Sequence, residues 1–398
     1  FESKTREYDD RLVNVIIPRP ETTFNRYAPL DSIFNEKNFY FSPDVPKLAG
    51  LAYNDGTKAK NSYTGETNLL AGYIGLKIPI FKKVYAYGGA RVEKYLIDIK
   101  TGEYIDSSTD STARTKRDTL NIFPSVNLVY SINEKNIIRA SYGKTINRAE
   151  FRELAPSDYE DFDLEATTHG NPDSLKFAYI NNYEIRYEWY PSSGEMVSLA
   201  GFYKDFENPI ELFQRAAGTG FDYFPINVEK AKSYGIEFDA RKSFMFLEGT
   251  ALNALKDFTV VFNTSLIKSE IKTDLKFLTE KKRVLQGQSP YIINLGLYYQ
   301  NEKSRLMVNL SYNRIGKRIV FTGTSEHPHT YEIPRDLVDL SINKGIGKRL
   351  ELKLGIKDLF SNQPYEFVQY FGKDNSIPQK STSYLPNRKI TLGLSLRI

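Results

Sequence analysis

Apolar and polar residues alternate along many segments of this sequence from residue 66 onward. In the last segment every second residue is aliphatic and the residues between are polar or small: Ile390, Leu392, Leu394, Leu396 and Ile398 against Thr391, Gly393, Ser395 and Arg397. The segments at 306–313 and 350–357 follow the same pattern. Because successive side chains of a β-strand point to opposite faces, this period of two predicts strands with one apolar and one polar face.

The length of these segments distinguishes two all-β architectures. A soluble sandwich turns its apolar faces inward, whereas a membrane barrel turns them toward lipid. Strands of globular proteins cluster near about five or six residues. The alternating segments here run for about ten residues or more, which suits a tilted membrane span of about 9–11 residues. The sequence therefore predicts a transmembrane antiparallel β-barrel.

The connections between the predicted strands alternate between short and long. Short turns fall at residues 79–82, 131–135, 191–195, 300–303 and 345–349, with 242–257 as a longer exception. Long polar segments fall at residues 100–118, 148–174, 207–223, 271–288, 317–335 and 361–387. In outer-membrane barrels the short turns face the periplasm and the long loops face outside, so the pattern predicts sidedness as well as class.

Regularity divides the chain into two parts. Residues 1–65 are irregular, and we predict one or two barrel strands there, at 12–17 and 38–42, with a loop. The alternating pattern in residues 66–398 predicts about thirteen strands, and the last of them is expected to end on the periplasmic side. Because barrels of this kind have an even number of strands, at least one strand must come from residues 1–65, which gives about 14 in this chain. We expect an export signal to precede Phe1, and we treat the chain as a fragment of a longer protein.

Composition narrows the function classes. The 398 residues include 28 Tyr and 25 Phe against one Trp and three Met, and aromatic residues suit strands and the interfacial girdles of barrels. The absence of cysteine excludes a disulfide framework, a thiolate zinc site and a cysteine nucleophile. With 54 basic and 49 acidic residues the charge is too even for a dedicated nucleic-acid-binding protein.

A set of eight motifs carries a family resemblance. In chain order they are NIFPSVNL at 121–128, RASYGKT at 139–145, RAEFRELAP at 148–156, GNP at 170–172, NNYEIRYE at 181–188, FYK at 202–204, YGIE at 234–237 and GIKDLF at 355–360. As an ordered set they resemble the C-terminal barrel portion of TonB-dependent outer-membrane receptors of the Bacteroidetes type, over about residues 66–398. Three positions depart from the family pattern. Ala149 stands where the family usually has proline. Leu175-Lys176-Phe177 replaces the more common Leu-Lys-Pro-Glu, and Ile398 stands where an aromatic residue is usual.

The resemblance implies an active importer in the bacterial outer membrane and not an enzyme. It implies a barrel of about 22 strands in the full protein, with a plug domain that is not present in this sequence. The implied partners are outer-membrane lipid, the energy-transducing TonB complex acting through a plug segment outside this chain, and a small-molecule, glycan or peptide ligand. Some relatives also have a surface lipoprotein lid. No cofactor and no nucleic acid are implied, and the ligand is not readable from the sequence.

The loop at residues 148–172 has the densest mixture of charged and aromatic residues. We name Arg148, Glu150, Arg152 and Tyr159 as candidate ligand contacts. A structural alternative, which we favour, is that Arg148, Phe151 and Leu154 fold this loop back onto the barrel rim. Other loop aromatics are also candidates for stacking on a ligand, and the sequence does not choose among them: Phe151, Tyr159, Phe162, Phe221, Tyr223 and Tyr370.

Catalytic and metal-binding interpretations are weak. The triplet Gly143-Lys144-Thr145 ends like a phosphate-binding loop, but Ile138 stands where that motif needs glycine. We expect His327-Pro328-His329 and the acidic residues at 150–165 to lie in solvated loops, because neither has the spacing of a metal site or a catalytic pair. The alternatives that remain are a plug-less porin, adhesin or structural barrel, and a soluble carbohydrate-binding protein or hydrolase with strands half as long.

Overall fold

The structure is a computed structural model. It describes residues 1–11, 13–16, 25, 27–39, 50–57, 61–101, 114–161, 166–172, 174–217, 220–278, 280, 282–325, 327–347, 349–372 and 376–396. Of the two strands predicted before residue 66, Val13–Ile16 is a strand. The second prediction, at 38–42, is described only at Asn38 and Phe39, where Phe39 forms an isolated bridge with Leu51.

The described residues form an all-β protein, which confirms the predicted class. The strands are β1 (Glu2–Tyr8), β2 (Val13–Ile16), β3 (Ala52–Asp55), β4 (Tyr63–Phe81), β5 (Val84–Thr101), β6 (Arg114–Asn133), β7 (Asn136–Asn147), β8 (Asp158–Asp161), β9 (Ala166–His169), β10 (Ala178–Trp189), β11 (Met196–Glu207), β12 (Ile210–Ala217), β13 (Gly220–Asn227), β14 (Lys230–Ser243), β15 (Phe258–Lys272), β16 (Lys282–Arg283), β17 (Tyr291–Asn301), β18 (Leu306–Ile315), β19 (Arg318–Phe321), β20 (Thr330–Glu332), β21 (Asp336–Ile346), β22 (Leu350–Lys357), β23 (Tyr365–Phe371), β24 (Ile377–Tyr384) and β25 (Lys389–Leu396). The helices α1 (Leu30–Ile33) and α2 (Phe151–Leu154) are single turns, and 3-10 helices lie at Glu36–Asn38, Met245–Leu247 and Asn253–Leu255. Among the described residues, none of these helices has the length and hydrophobicity needed to cross a membrane.

Contacts group the chain into two compact units. The first comprises Phe1–Leu69, Tyr95–Asp118 and Glu150–Asp173, and the second comprises Leu70–Lys94, Thr119–Ala149 and Ser174–Ile398. Within the first unit β1 pairs antiparallel with the first residues of β4, β2 with β3, and β8 with β9. The predicted boundary between residues 65 and 66 is a different kind of division and stays a prediction.

The second unit is built on one large sheet. Its strands follow the order β4, β5, β6, β7, β10, β11, β14, β15, β17, β18, β21, β22 and β25. From β6 to β25 each neighbouring pair is antiparallel. Sheet neighbours are therefore also chain neighbours, apart from the short strands inserted in the long connections, and this up-and-down order is the one used by barrels.

Several long connections carry strands of their own. The connection after β11 contains the hairpin β12–β13, and those after β18 and β22 contain β19, β20, β23 and β24, which pair with one another. The prediction of plain polar loops at 207–223, 317–335 and 361–387 was therefore wrong. These strands are three to eight residues long, too short to give a clear period of two within a polar segment.

One face of the large sheet is apolar. Ile185 on β10, Ile236 on β14 and Leu266 on β15 lie in one row, with Gly201 of β11 between the first two, and their exposed fractions are 60%, 55% and 61%. The same face of β25 consists of Ile390, Leu392, Leu394 and Leu396, all exposed. A water-soluble fold covers an aliphatic surface of this extent. A surface that meets lipid leaves it bare.

The opposite face carries charged residues that pair across strands. Arg186 on β10 reaches Glu184 at 2.9 Å, Glu237 at 3.3 Å and Asp239 at 3.4 Å. The two carboxylates on β14 belong to a different strand from Arg186, so the cation joins side chains across β11. Such cross-strand charge pairs stabilise the register of the sheet.

A ladder of amide side chains continues this polar row. Asn263 donates to the Asp239 carboxylate, Asn294 donates to the Asn263 oxygen at 3.0 Å, and Asn313 donates to the Asn294 oxygen at 2.7 Å. Asn263 and Asn294 therefore both donate and accept, and Asn313 donates, in a chain that crosses β14, β15, β17 and β18. Because chained hydrogen bonds polarise one another, the ladder favours one alignment of these four strands.

Short turns join the strands at one end of the sheet, at the places the sequence predicts. Basic side chains at these turns donate to main-chain carbonyls of the adjacent turn: Lys135 Nζ lies 2.9 Å from the Pro191 oxygen and Lys344 Nζ lies 2.6 Å from the Ser304 oxygen. The turns are thus braced against each other. We call this edge the short-turn end.

Gly235 provides a test of strand packing. A Cβ atom at Gly235 would lie 2.3 Å from the Leu266 carbonyl oxygen and 2.9 Å from the Phe202 ring. We expect Gly235→Ala to lower the midpoint of thermal unfolding in detergent, at a cost of about 1–3 kcal/mol, because the crowded strands must shift.

The matched control is Gly201→Ala on the neighbouring strand. There the nearest atom, Ile185 Cγ2, is at an ordinary 3.9 Å, so we expect little change. Equal unfolding midpoints for the two variants, read from heat-modifiable gel mobility, would contradict the close packing at Gly235.

Candidate functional site

The loop predicted to contact a ligand forms a compact turn in the first unit. The Glu150 N–H donates to the Glu153 carboxylate at 2.7 Å, which satisfies a free donor at the start of α2. Leu154 at the end of α2 is fully buried. A Cβ at Gly65 would touch the Phe151 ring at 2.6 Å, so glycine is needed where this ring packs.

Arg152 and Tyr159 are brought together by this fold. The Arg152 guanidinium lies 5.0 Å from the centroid of the Tyr159 ring. Interaction with the Tyr159 hydroxyl raises the pKa of Arg152. Two of the four named candidates therefore form one cation–π pair, and their role in ligand contact stays a prediction.

Arg148 lies in the second unit and is engaged by a carboxylate. Its guanidinium lies 2.5 Å from Glu93 Oε2, while Arg91 lies 2.6 Å from Oε1 of the same residue. The Glu93 side chain is only 9% exposed. The charge of Arg148 thus helps to hold a buried carboxylate, which supports the structural alternative for this residue.

A second candidate site lies in the long connections of the second unit. We define the loop layer as residues 207–229, 273–290, 316–335 and 358–388. Its apolar centre contains Phe213 and Val228, both fully buried, together with Ile271 at the end of β15 and Leu278. The Phe213 ring also meets Phe277 edge-on at 5.6 Å. The loop layer therefore has a hydrophobic core of its own.

An ion pair is buried beside this core. The side chains of Arg283 and Glu211 are 2% and 1% exposed. The contact is bidentate, with Arg283 Nη1 3.1 Å from Oε1 and Nη2 donating to Oε2. The Gln286 N–H donates to the same carboxylate at 2.8 Å. A bidentate contact of this kind offsets much of the cost of removing two charges from water, although Nε of Arg283 is buried without a hydrogen-bond partner.

A buried glutamine joins three connections of the loop layer. Gln214 donates to the Pro328 carbonyl at 2.6 Å and accepts from the Thr330 hydroxyl at 2.9 Å. Gln369 in turn donates to Thr330 at 3.0 Å. In addition, the Gln214 N–H donates to the Thr322 carbonyl at 2.8 Å. The long connections are therefore cross-linked into one ordered layer.

His329 is part of this buried layer, so the prediction of a solvated histidine loop was wrong for this residue. It is 9% exposed, and its Nδ1 accepts from the Gly323 N–H at 2.8 Å. Its Nε2 lies 3.4 Å from Glu280. Burial lowers the pKa of His329, and Arg283 adds to this effect. Because Nδ1 is an acceptor, the imidazole in this structure is neutral with its proton on Nε2.

A lysine and two tyrosines form a cluster in the loop layer. Lys317 Nζ lies 4.9 Å from the ring centroid of Tyr331 and 4.7 Å from that of Tyr370. The two rings meet edge-on with centroids 5.5 Å apart. We call Lys317, Tyr331 and Tyr370 the lysine–tyrosine cluster.

Lys317 is exposed, and within the part of the chain that the structure describes no carboxylate lies within ion-pairing distance of it. Its neighbour Arg318, by contrast, is paired with Glu332 at 2.7 Å. Burial raises the pKa of Tyr331, so its phenol stays protonated and can donate a hydrogen bond. An available cation next to aromatic faces and a phenol suits a ligand that combines negative charge with planar groups.

Tyr370 is among the candidate contacts predicted from the sequence, whereas Lys317 and Tyr331 are not. The three residues come together because β20 pairs with β23 and because the β18–β19 connection passes over them. These are contacts between distant segments. No local pattern in the sequence could have identified them.

Comparison with known proteins identifies similar folds. The family model described as TonB dependent receptor-like, beta-barrel matches residues 7–359. Among solved structures, the chain is similar to the ferric-catecholate import receptor Fiu of E. coli K12, at 15% identity and a TM-score of 0.54, over 90% of this chain and 48% of that one. It is also similar to the ferric yersiniabactin uptake receptor FyuA of Yersinia pestis, at 15% identity and a TM-score of 0.58, over 87% and 48%.

A third similar structure is the siderophore receptor PiuA of Acinetobacter baumannii, at 13% identity and a TM-score of 0.56, over 89% of this chain and 46% of that one. The chain thus spans about half the length of these solved structures. No curated protein matched the sequence.

The buried ion pair gives a testable prediction for the order of the loop layer. Arg283→Met removes the cation and leaves Glu211 buried, so we expect a local destabilisation of about 3–5 kcal/mol. Faster hydrogen exchange at residues 210–217 and 318–332 should report it.

The neighbouring residue supplies the control. Lys282 is 69% exposed and pairs with Glu270 at 3.0 Å, so Lys282→Met should leave exchange nearly unchanged. Unchanged exchange in both variants would show that the ion pair does not order the loop layer.

The neutral state of His329 predicts a dependence on pH. Since the folded pKa is below the unfolded value of about 6.5, the unfolded chain binds more protons as pH falls, and stability is lost below that value. Protection of loop-layer amides, corrected for intrinsic exchange, should therefore decrease from pH 7 to pH 5. The charged groups that act on His329 are Arg283, Glu280 and Glu211.

His329→Asn separates titration from packing, because an amide oxygen can accept from the Gly323 N–H without binding a proton. We expect the decrease in protection between pH 7 and pH 5 to become smaller in this variant. The same decrease in both proteins would assign the pH dependence to other groups.

Proposed function

The chain belongs to the family of TonB-dependent receptor-like β-barrels, and from this premise we propose that it forms barrel wall and extracellular loops of an outer-membrane active transporter. The transporter imports a scarce nutrient, and its energy comes from the inner membrane through TonB. The family match over residues 7–359 and the two-faced sheet of the second unit support this proposal. The protein is a transport receptor and performs no bond chemistry.

The placement in the outer membrane rests on the apolar face. This face exposes aliphatic side chains such as those of Ile185, Ile236 and Leu266. Lipid acyl chains are the surrounding in which such side chains are stable. The polar face, with Arg186 and its carboxylates, is suited to a water-filled interior. The long connections then lie outside the cell and the short-turn end lies in the periplasm.

The proposed ligand is an anionic chelate with planar groups, of the siderophore class. The observation that carries this proposal is the lysine–tyrosine cluster, where a cation lies within 5 Å of two aromatic rings. The similar solved structures are named as receptors for ferric catecholates, ferric yersiniabactin and siderophores. Their low sequence identity establishes a common fold, and the ligand class is our extension to this chain.

The chain's own residues would act in capture. Lys317 would attract the negative ligand, and the faces of Tyr331 and Tyr370 would contact its planar groups. The network around Gln214 and Arg283 would keep these side chains in place, so that little entropy is lost on binding. Arg152 and Tyr159 in the first unit are a second pair of candidate contacts.

Release into the periplasm would depend on parts outside this chain. We propose a plug that rearranges when TonB pulls on it, in a complete barrel of about 22 strands. A surface lipoprotein lid is a further proposed partner. Neither the Bacteroidetes type nor the C-terminal position within the full protein is needed for the capture step.

Lys317→Met tests the lysine–tyrosine cluster. The full-length protein should bind an anionic ferric tris-catecholate more weakly by about tenfold, because the cation beside the two tyrosine rings is lost. Binding can be followed by quenching of intrinsic tyrosine and tryptophan fluorescence. Lys380→Met is the control, since Lys380 is exposed and already paired with Glu366 at 2.5 Å.

Two results would contradict this ligand class. One is equal loss of affinity in Lys317→Met and Lys380→Met. The other is equal affinity of the wild-type protein for a neutral analogue of the chelate, because the cluster then contributes no charge recognition.

Uptake in cells tests the transport proposal itself. Cells that express the full-length protein should accumulate the iron chelate, and a protonophore should abolish accumulation. Uptake that continues without a proton-motive force would favour a passive porin. Binding at the cell surface without uptake would favour an adhesin.

A further inference from the structure

The connection between β14 and β15 differs from the other turns at the short-turn end. We call residues 244–257 the β14–β15 insert. It contains the 3-10 helices Met245–Leu247 and Asn253–Leu255. Its own hydrogen bonds order it: the Leu247 N–H donates to Phe244 at 2.9 Å and the Leu255 N–H donates to Leu252 at 2.9 Å. The insert is therefore a folded element and not a slack loop.

The insert exposes large apolar side chains. Met245, Phe246, Leu252 and Leu255 have exposed fractions of 68%, 62%, 56% and 43%. Neither 3-10 helix contains a buried residue. The turns at 133–135, 191–195 and 302–305 have the sequences NEK, PSSGE and EKSR, with no large apolar residue. A folded element that turns its apolar residues outward needs an apolar surrounding.

The insert is continuous with the apolar face of the sheet. Lys242 and Ile236 are six residues apart on β14, so their side chains lie on the same face of the sheet. The Nζ atom of Lys242 lies 4.8 Å from the centroid of the Phe246 ring. Phe246 thus extends the apolar surface beyond the end of the strand.

Aromatic pairs line the same face next to the insert. The rings of Phe238 and Phe262 lie 6.1 Å apart, and those of Phe258 and Tyr299 lie 5.0 Å apart. Aromatic residues collect where a barrel meets the interface between lipid tails and headgroups. The insert begins directly beyond this band.

Ion pairs lie within the insert and beside it. Lys256 pairs with Glu248 at 2.6 Å, and Lys242 pairs with Glu195 at 3.0 Å. Lysine stems can lie along an apolar surface while the ammonium groups stay at headgroup level. Paired charges beside exposed apolar residues are typical of an interfacial membrane segment.

We propose that the β14–β15 insert is an interfacial membrane anchor. Met245, Phe246, Leu252 and Leu255 enter the boundary between headgroups and acyl chains in the lipid leaflet next to the short-turn end. The occupant of this apolar surface is lipid, because the surface continues a face that lipid covers. The inference rests on the proposed membrane placement. Such an anchor fixes the depth of β14 and β15, the strands that lead into the loop layer.

Residues 1–398 contain no cysteine, which allows a direct test in the full-length protein once any cysteine outside this sequence is replaced by serine. Single variants Phe246→Cys and Leu252→Cys are labelled with an environment-sensitive fluorophore and placed in vesicles of phosphatidylethanolamine and phosphatidylglycerol. Ser193→Cys in the β10–β11 turn is the water-exposed control, and Ile236→Cys is the control on the apolar face. All four positions are exposed, so labelling does not disturb a core.

At residues 246 and 252 we expect a shift of emission to shorter wavelength, quenching by lipid spin-labelled near the headgroup, and loss of quenching by iodide. At residue 193 iodide should quench, and at residue 236 lipid spin-labelled deep in the acyl chain should quench. If the labels at residues 246 and 252 are quenched by iodide like the label at residue 193, while the label at residue 236 is quenched by lipid, the anchor proposal is wrong and the membrane placement is supported. If 236 also behaves like 193, the membrane placement itself is wrong.

Discussion

The structure depends on one constraint, the alternation of side-chain direction along strands that are hydrogen-bonded on both edges. In the large sheet of the second unit this alternation places Ile185, Ile236 and Leu266 on one face. Arg186 and its carboxylate partners lie on the other. A shift of one residue in the register of any strand would exchange its two faces, so a single wrong pairing would put charges into lipid and aliphatic groups into water. The polar ladder from Asp239 to Asn313 and the lysine braces at the short-turn end both favour one register.

The loop layer follows a different physical rule, because it has a core of its own. Phe213 and Val228 supply the apolar centre, while Arg283 and Glu211 are buried beside them as a bidentate ion pair. Burial of these polar groups is costly unless every partner is present, so the layer is ordered as a whole or not at all. This order is what can hold Lys317 between two tyrosines in the absence of a ligand.

Much of the sheet could be predicted from the sequence, whereas the proposed binding surface could not. Segments with a period of two, such as residues 390–396, predict a strand from local sequence alone. The ordered motifs predict the TonB-dependent receptor family, and the family match confirms this prediction. The loop layer depends on contacts between segments far apart in the chain, such as Glu211 with Arg283, and these leave no local pattern. His329 illustrates the error: it lies in a polar segment, yet it is buried because distant strands cover it. The departures Ala149 and Phe177 are buried as well, which gives a packing reason for apolar residues at these positions.

The central claim is that the two faces of this sheet meet lipid and water respectively, and β10 allows the most direct measurement. Single cysteines at residues 182–187 in the full-length protein are exposed, in intact outer membranes, to a membrane-impermeant thiol reagent, and labelling rates are compared. The account predicts a period of two, with faster labelling at residues 182, 184 and 186 than at 183, 185 and 187. Equal rates at all six positions, or faster labelling at 183, 185 and 187, would contradict it.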